Sequence, residues 1–96
     1  MGGANGHSTS GTAEIVRDGA AHTLELRSNF RIDSGNNDVY LTRGSAGIAS
    51  GDLNLGAMKS LTGAQSYNMP NDGSGYRYVM LWCRPFQVPI GVGELR

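Results

Sequence analysis

Cys83 is the only thiol in this 96-residue chain. With His7, His22 and the interior methionines Met58, Met69 and Met80 it makes up the chain's soft and borderline donor atoms. Among them only cysteine readily exchanges electrons near neutral pH, and it does so as the thiolate. One cysteine allows no intrachain disulfide and no thiolate zinc cage. It also leaves no resolving thiol for two-electron exchange within the chain. A redox Cys83 therefore needs an outside partner or cofactor. Strand periodicity puts Arg84 on the opposite face and Leu81 and Pro85 on the face of Cys83. An apolar surrounding favours the neutral, inert thiol. A core-filling role is thus the standing alternative, since free cysteine is among the most buried residue types.

The other candidates are weaker on spacing. His7 and His22 fit no short metal-ligand pattern, and an exposed strand or loop position accounts for either. Thioether sulfur suits haem iron or Cu(I), yet core packing is the ordinary use of Met58, Met69 and Met80. Met80 and Trp82 share one strand face while Cys83 takes the other, which argues against a Met80–Cys83 site. Trp82, Tyr67, Tyr76 and Tyr78 read as core or rim residues with a hydrogen-bonding tip. The loop of Asp33 and Asp38 has Gly35 where an EF-hand needs a ligand. Gly91-Val92-Gly93 starts like a phosphate-binding motif, but Arg96 stands at its last glycine position and no helix follows. No Gly-x-Ser-x-Gly elbow or triad spacing is present, which disfavours a hydrolase.

The elements that must hold these residues read as strands. Thr12 to Val16 and Ala21 to Arg27 flank Asp18-Gly19, a hairpin signal. Leu24 and Leu26 alternate with Thr23, Glu25 and Arg27, and Phe30 and Ile32 continue that period of two. Residues 33–38 read as a turn, Val39 to Thr42 as a strand and 43–52 as a loop. Residues 53–61 read as coil with a possible short helix, from the spacing of Leu55, Met58 and Leu61. Ser66 to Met69 looks extended, and 71–75 is a turn. Tyr78 to Cys83 is an unbroken apolar run between Arg77 and Arg84, as expected of a central strand covered on both faces. Phe86, Val88 and Ile90 alternate again, and Gly91-Val92-Gly93 should loosen the chain.

This pattern predicts an all-β domain, a small antiparallel β-sandwich or partly closed barrel of about six to nine short strands. Composition agrees. Leu, Ile, Val and Phe total 19 of 96, low for a core, but net charge is zero and glycine reaches 15. Disorder would need high net charge; many glycines among intact apolar segments mean many turns instead. Zero net charge also removes long-range attraction to nucleic acid or anionic membranes, so nucleic acid is not an expected partner. No window approaches the apolar length needed for a direct membrane span. Residues 1–6 lack the basic and apolar regions of a signal peptide and read as a leader before a single β domain at 7–96.

From His7 to Leu95 the chain resembles the DM13 family, a small domain found in exported bacterial proteins and, in animals, beside DOMON domains. The resemblance rests on Leu55-Gly56-Ala57-Met58-Lys59-Ser60, on Gly63 to Pro70, and on Tyr78-Val79-Met80-Leu81-Trp82-Cys83-Arg84-Pro85-Phe86. It extends to His7-Ser8-Thr9-Ser10-Gly11 with Ala13 and Ile15. Gly35-Asn36-Asn37-Asp38 departs from the Gly-Pro-Asp common before the family's middle strand. The resemblance implies an all-β fold and a redox or electron-transfer role centred on Cys83, in an extracytoplasmic or secreted setting. It implies a redox protein partner such as a DOMON-type haem domain, with the haem held by that neighbour. It names no cofactor for this chain. His7 falls within the resembling segment and could approach Cys83, where a His–Cys pair would ligate iron or copper or activate the thiol.

Two expectations stand side by side. In one, an extracytoplasmic electron-transfer accessory module, not an enzyme on its own, works through Cys83. In the other, a non-catalytic binding or structural β module keeps Cys83 in its core.

Overall fold

The computed structural model describes residues 1–33 and 35–95, and among them are ten strands and no helix. They are β1 (Gly2–Gly3), β2 (Thr9–Ser10), β3 (Ala13–Asp18), β4 (Ala21–Leu26), β5 (Arg31–Ile32), β6 (Asn37–Thr42), β7 (Leu53–Ala57), β8 (Gln65–Met69), β9 (Tyr78–Cys83) and β10 (Val88–Glu94). The number exceeds the expected six to nine because β1, β2 and β5 are two-residue pairings that composition cannot signal. All pairings are antiparallel: a five-stranded sheet β1-β10-β9-β6-β7, a three-stranded sheet β3-β4-β8, and the pair β2-β5. No barrel closes. The two larger sheets form a sandwich, with β2-β5 as a separate pair.

The core follows from strand alternation. On the three-stranded sheet Ala13, Leu24, Leu26 and Tyr67 face inward; on the five-stranded sheet Val39, Leu41, Val79, Leu81 and Cys83 do. β9 is hydrogen-bonded on both sides, to β10 and β6, as the apolar run predicts. Its outer-face residue Met80 is also fully buried. The 43–52 loop folds over that face: a Cβ on Gly47 would stand 3.9 Å from Trp82.

Three local expectations are corrected. Residues 53–57 form β7 against β6, with no helix, because Leu53 and Leu55 alternate with exposed Asn54 and the β6 edge supplies backbone partners. β6 starts two residues early, taking Asn37 and Asp38 from the expected turn. Gly91 and Gly93 do not loosen the chain; they stay in the ladder opposite Leu81 and Val79.

The β9–β10 register slips between Pro89 and Gly91. Proline cannot donate to a ladder and sits in strands at such irregularities. The Ile90 carbonyl there accepts from the Ala4 amide (3.2 Å) and the Thr9 hydroxyl (3.0 Å), which binds the N-terminal segment to β10. Gly91 makes the close approach feasible. A Cβ there would lie 2.7 Å from Thr9 Oγ1. Residues 1–6, expected as a leader, contain β1, whose glycines pair with Val92 and Gly91.

Candidate functional site

Cys83 ends β9 and is 4% exposed. Its cross-strand partners are Asn37 on β6 and Val88 on β10, and directly opposed residues share a face. Asn37 is buried, and its side-chain amide points at the Met58 thioether at 3.9 Å; the Met58 amide donates to the Asn37 carbonyl at 2.9 Å. Two soft sulfurs, Cys83 and Met58, thus flank one buried carboxamide. Met69 packs in the core and Met80 lies on the outer face, away from the thiol.

Arg84 takes the opposite face, as the strand period requires. Its guanidinium pairs with Asp38 at 3.1 Å, so that charge is committed away from Cys83. The turn Arg84-Pro85-Phe86-Gln87 is exposed throughout, and Phe86 is 77% exposed. The Gln87 amide donates to the Cys83 carbonyl (2.8 Å), and Gln87 itself has φ 56, a left-handed backbone unusual outside glycine. The residue that carries the buried sulfur directly precedes this exposed turn.

His7 lies elsewhere in the hydrogen-bond network. Its Nδ1 is 3.0 Å from Asp33 Oδ1, while Asp33 Oδ2 accepts the Ser8 amide at 3.0 Å. The Asp33 amide donates back to the Ser8 carbonyl at 3.2 Å. Among the described residues no hydrogen bond joins His7 to Cys83. His22 is half-buried between Arg17 and Met69 in register. Tyr67 is buried, accepts the Lys59 amide and donates to Gln65; burial pushes its phenol up. Tyr76 reaches the Gly51 carbonyl from the 43–52 loop side, and Trp82 is half-exposed on the outer face.

Sequence reasoning missed Asn37 and Asp33 because both lie in a polar run whose composition signals only a turn. Their roles come from register, and no local signal carries it.

The Asp33 carboxyl is held below its ordinary value, first by the Ser8 amide and then by His7. Asp72 is lowered by Ser74 in the same way. A depressed folded-state pKa stabilises above the unfolded value and is lost as pH falls through the folded one. Denaturant midpoints should therefore fall on acidification from neutral to about pH 3, below the ordinary aspartate value. Asp33→Asn should shrink that fall without abolishing it, since Asp72 still contributes. An equal fall in both proteins would count against this assignment.

The DM13 family, described as electron transfer DM13, matches residues 3–95, nearly the whole chain. No curated protein and no solved structure matches. With an all-β sandwich in place, and a match that spans β2 to β10, the chain belongs to the DM13 family of electron-transfer domains.

Proposed function

We propose that this chain is an extracytoplasmic electron-transfer module working with a redox protein partner, and that Cys83 is its redox atom, reached by opening of the 84–87 turn. The observation that carries the reading is the position of Cys83, one residue from a fully exposed turn yet itself 4% exposed. A lone thiol offers coordination to a metal held by the partner, or attack on a disulfide of the partner that forms a mixed disulfide and releases one partner thiolate. Both require the sulfur to be reached. Turns with few buried contacts open at free energies well below global unfolding. The extracytoplasmic setting and a DOMON-type haem partner rest on family resemblance, and the haem stays with the partner.

A second reading has its own support. Cys83 belongs to the hydrophobic core, and the nearest charge in sequence, Arg84, is paired on the other face. In that reading the thiol only packs.

Labelling of the native protein with a chromogenic disulfide reagent across low denaturant separates the two. Access through the turn predicts a labelling rate nearly independent of denaturant below the unfolding transition. A rate that tracks global unfolding from the first addition of denaturant removes Cys83 from the redox role and leaves the packing reading.

A further inference from the structure

The pairing of His7 with Asp33 has a chemical consequence independent of Cys83. Both Asp33 oxygens are held, Oδ1 by His7 and Oδ2 by the Ser8 amide, so the carboxylate cannot turn away. A carboxylate at Nδ1 selects the tautomer with the proton on Nδ1 and leaves the Nε2 lone pair outward. No described residue hydrogen-bonds Nε2, and the His7 side chain is 31% exposed. A carboxylate behind an imidazole is the usual second partner of a metal-ligating histidine, and it orients the ring. Among the described residues no cluster of three His, Cys, Asp or Glu surrounds this imidazole. Such a ligand suits a metal whose other positions are already filled.

We propose that His7, positioned by Asp33, is a single-imidazole ligand for an iron complex carried by another molecule and keeping one exchangeable water. The bond formed is iron–Nε2, the water leaves, and no electron changes hands in the binding step. Asp33 is the positioning residue. It does not touch the iron.

The test titrates the protein, in mildly alkaline buffer, against a haem peptide whose iron carries one histidine of its own and one water. Replacement of that water by imidazole shifts the Soret band. The parent and His22→Ala should give the shift, and His7→Ala should lose it. Asp33→Asn should bind about tenfold more weakly or worse, the usual effect of losing a second partner of this kind. Asp33→Glu, which keeps the charge, should stay within a few-fold of the parent and guards against simple loosening of the N-terminal segment. Cys83→Ala should bind like the parent, so failure here leaves the thiol reading intact. The proposal is overturned if the shift survives His7→Ala or never appears in the parent. It is equally overturned if Asp33→Asn binds like the parent, which would make His7 merely an accessible imidazole, or if Asp33→Glu fails to bind while folded.

Discussion

Leu24→Ala is expected to lower global stability by about 2–5 kcal/mol while leaving native-state labelling of Cys83 within a few-fold of the parent. Leu24 is fully buried on β4, opposed by Ile15 and Tyr67, so truncation removes buried hydrocarbon and leaves a cavity that the flanking strands only partly close. For a small domain with a total of about 5–15 kcal/mol, that is a large fraction of stability. Each 1.4 kcal/mol is about tenfold in the unfolding equilibrium, so the unfolded population should rise on the order of 30- to 4,000-fold. Cys83 sits on the other sheet, beside the 84–87 turn. If the turn is the route to its sulfur, the labelling rate in native buffer does not inherit that factor. If global unfolding is the route, it inherits all of it. Denaturant melts and thiol labelling of the same two proteins decide between redox access and inert packing by a difference of orders of magnitude.

Gly11→Ala should be nearly as damaging, about 2–5 kcal/mol, where Gly19→Ala should be near 1 kcal/mol. Both glycines have positive φ, +120° at Gly11 and +63° at Gly19, so both substitutions carry backbone strain. What separates them is space. A Cβ on Gly11 would lie 2.6 Å from the Phe30 Cα and 2.9 Å from its nitrogen, and backbone cannot swing aside as a side-chain tip can. At Gly19, in the hairpin loop, nothing lies within 4 Å. Gly11 joins β2 to β3 next to the reciprocal Thr12–Asn29 hydrogen bonds, so the displacement would pull on the segment that carries His7. Denaturant midpoints of the two variants, measured side by side, check the contrast; equal losses would mean strain alone governs both sites.

The amino-acid order by itself determined the strand content, the Asp18-Gly19 hairpin, the central strand at Tyr78–Cys83 and the opposite facing of Cys83 and Arg84. These follow from periods of two and from turn residues, which act over a few positions and need no knowledge of the partner strand. The helix suggested for 53–61 failed for the complementary reason. Leu55, Met58 and Leu61 have helical spacing, but the open edge of β6 captured residues 53–57 as a strand. Tertiary structure alone decided that Cys83 faces Asn37 with Met58 alongside, and that His7 meets Asp33. Those contacts join residues 21 to 46 positions apart, and they depend on the register that sets Asn37 opposite Cys83 and on the slip at Ile90 that seats the N-terminal segment. A one-residue change of register turns every side chain of a strand to the other face. Side-chain alternation is written locally, whereas the alignment of distant strands is settled only when the whole core packs.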